Sequence, residues 1–146
     1  MVHQQVSVSR VIPHPPGVVF DLLASPEGHV RMDGSGTVKG VAKGPERLEL
    51  GSRFKMKMRL GVPYTIASVV KEFDENKLIA WAHYGKHRWR FELEPVGAGT
   101  RVVETFDYST AVWPRGLELL RFPQRHPAGM EATLARIEEL LDSDAG

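Results

Sequence analysis

The chain reads as an α+β protein: a curved antiparallel sheet of about seven strands wrapped around one long C-terminal helix. Three observations carry this. Strand-like segments follow one another with short connections through the middle of the chain, which implies an antiparallel meander. The run from His87 to Tyr108 alternates with period 2 on either side of a turn. Met130, Leu134, Ile137 and Leu141 fall at i, i+4, i+7 and i+11, an apolar stripe down a single helix face.

Residues 3–12 open as a strand, with Val6 and Val8 alternating with Ser7 and Ser9. Pro13, Pro15 and Pro16 stop it, and a proline in the first turn of a helix costs little because that N–H has no helical acceptor. Val18, Val19, Leu22 and Leu23 form the apolar side of a short helix. Ser25-Pro26-Glu27 is a second start signal, with Ser25 as N-cap, so a helix, a break and a helix extend to about Arg31. Met32 to Gly36 is a loop by its turn chemistry. Thr37 to Lys43 makes a weak strand. Residues 52–60 make a strong one, with Phe54, Met56 and Met58 facing inward and Arg53, Lys55, Lys57 and Arg59 outward. Gly61 and Pro63 break it. Residues 64–74 form the next strand, Asp74-Glu75-Asn76 a turn, and Leu78 to Tyr84 a strand holding Trp81 and His83. Gly85-Lys86 closes a hairpin into the alternating run, whose own turn is Pro95 to Gly99. Trp113 to Pro127 is irregular or briefly helical, and the final helix follows.

Composition excludes several classes of function. At 146 residues the chain fits one domain, expected over 1–146, with room for a substantial core. Its 42% hydrophobic and 25% charged content are ordinary for a globular protein. A formal net charge of +1 gives no global field toward nucleic acid or an anionic membrane. With no cysteine there is no disulfide, thiolate catalysis or thiolate metal site. No signal peptide and no apolar run long enough for stable membrane insertion is visible, so a cytoplasmic location is expected. There is no phosphate-binding glycine loop, nucleophile elbow or H-E-x-x-H. The basic alternation of residues 53–59 reads as a solvated outer face balanced by acids elsewhere rather than as an RNA contact.

The imperfection in the alternating run is its most useful feature. His87, Trp89, Phe91 and Leu93 share a face, opposite Arg88, Arg90, Glu92 and Glu94. In the second half Val102, Glu104, Phe106 and Tyr108 share one, which places Glu104 among apolar groups. A carboxylate there is costly without a partner, water or ligand. A structural pair with Arg88, Arg90, His87 or His83 is the simplest expectation. If unpaired and buried, its pKa rises and it becomes a neutral hydrogen-bond or proton donor. His83 and His87 flank the hairpin turn and come close together. Their spacing matches no dedicated metal motif, so no metal or other cofactor is expected. His14, His29 and His126 are expected at the surface, and Asp107, opposite Glu104, is expected to be solvent-exposed. Tyr64 and Tyr108 either orient a ligand carbonyl or pack as core rings. Trp113, Leu117, Leu120 and Phe122 read most simply as connector packing, with a lid or a homodimer contact as the alternatives.

The element order, the proline-started helix pair and the long last helix resemble the START-like (Bet v 1-like) helix-grip superfamily. More narrowly, W-R-F-E-L-E-P-x-x-x-G-T-R-V-x-E-T-F-D, from Trp89 to Asp107, resembles bacterial SRPBCC proteins of the polyketide cyclase/dehydrase and lipid-transport group. Asp33-Gly34-Ser35-Gly36 with Gly40 fits the same group. The resemblance implies a hydrophobic cavity between sheet and last helix, holding a lipid- or polyketide-like molecule. Periodicity supplies its walls: Phe54, Met56 and Met58 from one strand, Trp81 and His83 from another, and Trp89, Phe91, Glu104, Phe106 and Tyr108 from the alternating run. Met130, Leu134 and Ile137 come from the helix. Methionine and aromatic groups suit a cavity that accepts several ligand shapes. The fold hosts carriers and enzymes alike. Catalysis would fall to Glu104 or His83. Aromatase/cyclases of the resembled superfamily place an arginine and hydroxyls in the pocket. Here the inward positions are Phe and Met and the arginines point out, which favours binding over cyclase/dehydrase chemistry. A ligand-free interaction module is the third alternative.

Overall fold

A computed structural model of the chain describes residues 5–34, 36, 38–83, 87–109 and 127–145. The strands are β1 (Gln5–Ile12), β2 (Val38–Lys43), β3 (Arg53–Leu60), β4 (Val62–Asp74), β5 (Leu78–His83), β6 (Arg88–Val96) and β7 (Gly99–Asp107). The helices are α1 (Pro16–Leu23), α2 (Pro26–Met32) and, at the C-terminal end, α3 (Pro127–Ala145). The seven strands form one antiparallel sheet in the order β1-β7-β6-β5-β4-β3-β2. This is the helix-grip-like α+β arrangement expected from the sequence. The final helix lies against β1 and α2.

Local chemistry explains the breaks. Pro15 is extended (φ −66°, ψ 154°) and Pro16 starts α1, where the missing N–H costs nothing. Ser25 caps α2, its Oγ accepting from the Gly28 N–H at 3.1 Å. Gly28 sits so close to α1 that a Cβ there would lie 2.1 Å from the Leu22 carbonyl oxygen. The Asp74-Glu75-Asn76 turn forms as expected, with Asn76 in the left-handed region (φ 65°). Two boundaries differ from the sequence reading. Pro63 does not end a strand, because β4 begins at Val62. Pro95 and Val96 belong to β6, pairing with Thr100 and Gly99, so the hairpin turns on Gly97-Ala98 alone. Gly97 supplies the positive φ (59°) that such a tight turn needs.

The register separates two chemistries. On the inner face, one row runs Trp81, Trp89, Phe106, Val6 across β5, β6, β7 and β1. The adjacent row runs Ile79, Phe91, Glu104, Val8. Leu134, Ile137, Leu140 and Leu141 of α3 join the same core as Phe91 and Trp81, so the predicted stripe is the buried face of the helix. On the outer face Glu72 accepts from Arg88 (2.9 Å) and Arg90 (2.8 Å), and Asp107 accepts from Arg90 (3.3 Å). Polar ties hold α3 in place: Arg10 to Glu138 at 3.0 Å and His14 to Asp142 at 2.7 Å.

Candidate functional site

Every predicted wall residue is at least partly buried on the inner side. Phe54, Met56, Trp81, Phe91, Phe106, Tyr108, Met130, Leu134 and Ile137 are buried, and Met58, His83 and Trp89 are partly so. Rings dominate this side. Trp81 stacks on Phe91 (centroids 5.6 Å apart), Trp89 packs on Phe106 (4.8 Å), and Phe106 stacks on Tyr108 (5.8 Å). Phe106, Tyr108 and Met130 make a small cluster where β7 ends and α3 begins.

Glu104 is the exception in this wall, only 4% exposed between Phe91 and Val8. Its Oε1 has no hydrogen-bond partner, the sole such buried side-chain oxygen or nitrogen among the described residues. The expected structural pair is not formed. Arg88 and Arg90 project from the opposite face and are spent on Glu72 and Asp107. Burial drives the Glu104 pKa well above the usual carboxylate range, and the negative charge of Asp33 pushes the same way. Burial thus favours the neutral form of this carboxyl, which can donate a hydrogen bond. Asp33 is anchored by its own loop: Oδ2 accepts from the Gly36 N–H (3.0 Å) and the Val38 N–H (3.1 Å). Gly34 donates its N–H to Thr133 Oγ1 at 3.0 Å, which fixes this glycine-rich loop against α3.

Three imidazoles share the interior. His29 was expected at the surface but is 6% exposed and stacks on Trp81 with centroids 4.3 Å apart. Its Nε2–H donates to the Leu23 carbonyl at 2.7 Å, and burial lowers its pKa to about 4. The missed signal is helical spacing: Pro26, His29 and Met32 fall on one side of α2, and all three are buried. His83 Nδ1 lies 2.6 Å from Ser68 Oγ; burial, and then the charges of His87 and His29, lower its pKa to about 3. The rings of His83 and His87 are 5.1 Å apart, and burial lowers His87 too. All three are neutral at ordinary pH. Among the described residues no three His, Cys, Asp or Glu side chains are grouped to hold a metal.

Asp107 also departs from expectation. It is 4% exposed, because Gln5, Arg90 and Ser109 close over it. Burial alone would raise its pKa, but the Ser109 hydrogen bonds and the Arg90 charge outweigh it and hold the carboxyl low. Tyr64 is 40% exposed, on the β4 end that extends past β5, and is not a core ring. His14 is half-buried beside Asp142. An open groove of about 940 Å³ runs along Lys43, Arg53, Lys55, Lys71 and Arg88, and of the predicted wall residues Phe54 and His83 also line it. His126, Trp113, Leu117, Leu120 and Phe122 lie outside the described residues.

Comparison with known proteins agrees with this architecture. The family model described as "Polyketide cyclase / dehydrase and lipid transport" matches residues 3–142. An uncharacterized protein of Mycobacterium tuberculosis is 43% identical over 141 residues, covering 92% of this chain and 63% of that protein. The chain thus spans somewhat under two thirds of that relative's length. Among solved structures, a Nitrosomonas europaea protein superposes with a TM-score of 0.76 at 19% identity, covering 99% of both chains. A Mycobacterium smegmatis protein gives 0.74 at 15% identity, covering 97% of this chain and 92% of that one. A polyketide cyclase-like protein of Corynebacterium glutamicum gives 0.68 at 16% identity, covering 99% and 94%. At these identities the likeness concerns the fold.

Proposed function

The chain belongs to the polyketide cyclase/dehydrase and lipid-transport family, and from that premise we propose that it binds a hydrophobic or amphipathic small molecule between the sheet and α3. The observation that carries the proposal is Glu104: a buried carboxyl whose Oε1 has no partner, set in a wall of rings, with burial favouring its neutral form. An unpaired buried polar group costs stability unless a bound molecule satisfies it. A neutral carboxyl donates to a carbonyl, ether or hydroxyl oxygen, and neutral imidazoles at His83 and His87 offer no charge to an anion. The ligand class that fits is an uncharged, oxygen-bearing molecule with a long or polycyclic apolar body, lipid- or polyketide-like. Affinity would come chiefly from apolar surface removed from water, about 25 cal/mol per Å². Glu104 would set orientation. Phe54, Met56 and Met58 from β3, Trp81, Trp89, Phe91 and Phe106 from the ring wall, and Tyr108, Met130, Leu134 and Ile137 at the α3 side would supply the contact surface.

A second reading rests on the same pair of groups. Protonated Glu104 and neutral His83 offer an acid and a base on one side of the sheet, which is the minimum for a proton-shuttling cyclisation or dehydration. One experiment separates the two. Native mass spectrometry of protein purified from its own host should retain a neutral small molecule, and adding that molecule back should raise Tm. Recovery of the same molecule unchanged supports a carrier. Its conversion, abolished by Glu104→Gln, supports an enzyme. If no neutral lipid or polyketide-like compound is retained or raises Tm, both readings fail.

A further inference from the structure

The β3–β4 hairpin has a surface chemistry that ligand binding inside the sheet does not use. It turns at Gly61 (φ 77°) and presents Val62 (68% exposed), Pro63 and Tyr64 (40% exposed) at its tip. Below the tip, Arg53, Lys55, Lys57 and Arg59 line the outer face of β3, and Lys39 of β2 is exposed beside them. Residues 53–71 carry five cations and no acid, against +1 for the whole chain, so the rest of the molecule is net acidic. The sequence suggested that acids elsewhere would balance this face. None does so locally: among the described residues no ion pair reaches Arg53, Lys55, Lys57, Arg59 or Lys39, whereas Arg47, Arg88 and Arg90 are all paired.

We propose that this hairpin is a membrane-docking element, which seats its apolar tip in the interface of an anionic lipid bilayer while Arg59, Lys57 and Lys39 meet the headgroups. Val62 and Tyr64 project from one face of the hairpin end and Pro63, beside Arg59, from the other, so an apolar tip precedes a row of cations, which matches the layered polarity of a bilayer surface. A nucleic acid is the poorer fit, because the outer-face positions opposite the β3 cations are Pro63, Thr65, Ala67 and Val69, none of them an aromatic ring on which a base could stack. Position along the strand ranks the cations. At about 3.3 Å per residue, Arg59 lies roughly 7 Å and Lys57 roughly 13 Å from the turn, and Arg53 more than 25 Å. With a screening length of about 8 Å in physiological salt, only the first cations feel the headgroups. The same end of the sheet carries the end of β5, the start of β6, the end of β7 and Asp33. Docking would therefore bring the proposed ligand site to the bilayer, but it does not depend on that site.

The test is sedimentation with vesicles of phosphatidylcholine alone or mixed with phosphatidylglycerol, at low and high salt. Binding is expected only to the mixed vesicles, and salt should weaken it. Val62→Asp and Tyr64→Ser should each lower partitioning several-fold. Arg59→Glu should lower it at least about fivefold and Arg53→Glu much less. All four positions are exposed, and unchanged Tm would show that each variant folds. Equal losses from Arg53→Glu and Arg59→Glu, no effect of Val62→Asp, or binding to single-stranded RNA that outcompetes the vesicles would each overturn the proposal. None of these outcomes bears on whether Glu104 contacts a ligand.

Discussion

Glu104→Gln should change how stability depends on pH, and the size of the change follows from linkage. In the unfolded chain Glu104 ionises near the ordinary glutamate pKa of about 4.3. In the folded protein burial and the charge of Asp33 hold its proton to much higher pH. Between those two values the folded state binds one more proton than the unfolded state, so raising the pH favours unfolding. One proton corresponds to a slope of about 1.4 kcal/mol per pH unit across that window. Glutamine has nearly the same shape and cannot ionise, so it removes the slope. Urea unfolding of both proteins from about pH 4 to about pH 8 gives the difference directly. The two should be within about 1 kcal/mol of each other at the acid end, where both side chains are neutral. The variant should then gain on the wild type with rising pH, until the folded carboxyl ionises. Asp33→Asn should make the wild-type slope end at lower pH, because one of the two forces raising the Glu104 pKa is gone. A stability difference that is flat with pH, or one in which the wild type gains as pH rises, refutes the protonated, unpaired carboxyl.

Acid unfolding should report the buried imidazoles with the opposite sign. His29 and His83 have folded pKa values lowered to about 4 and about 3, so the stability they permit is complete above about 6.5 and declines as pH falls below it. His29→Phe should keep the stack on Trp81, lose about 1 kcal/mol with the Leu23 hydrogen bond, and flatten the decline by one proton. Potentiometric or urea titration would show it. Gly28→Ala should destabilise by roughly 3 kcal/mol, since its Cβ would meet the Leu22 carbonyl oxygen at 2.1 Å, and a thermal melt should fall by about 9 °C. Arg90→Ala strips Glu72 and the 6%-exposed Asp107 side chain of a shared cation and should cost about 2 kcal/mol at neutral pH. Both carboxyls have lowered pKa values, so their contribution is present above the ordinary carboxylate range and lost as pH falls through it. The variant's stability should therefore depend less on pH at the acid end.

The sheet was legible because its code is short-range. In β6 and β7 period-2 alternation fixed which side each residue faces, but not the register, which depends on a turn of Gly97-Ala98 alone rather than the longer Pro95 to Gly99. The stripe of α3 was legible for the same reason. Misreadings came where a partner lies far away in the chain. Asp107 alternates as an outward residue, and it does face out. It is buried because Gln5, 102 positions away, and Arg90 fold over it. His29 lies in a helix of seven residues, where the spacing of Pro26, His29 and Met32 spans under two turns and weighs little against the habit of histidine for surfaces. Its burial depends on Trp81, which β5 brings to it.

Glu104 was the reverse case, a local violation that distance did not repair. Alternation places it inward, and the sequence offers arginines on two neighbouring outward positions as partners. Period 2 itself forbids that: Arg88 and Arg90 point to the other face, and reaching Glu104 would require crossing the sheet. Charge complementarity counted along the sequence therefore misleads in a sheet, where the face decides which charges meet. The outer face uses its carboxylates, Glu72 and Asp107, to neutralise its arginines. Among the described residues the inner face carries neutral imidazoles, Glu104 with its raised pKa, and Arg10, whose charge is taken up by Glu138 of α3. A protein under selection for stability alone would fill position 104 with valine or leucine, as at Val102 one row away. The ligand proposed above would give the carboxyl at position 104 the partner that the protein itself does not supply.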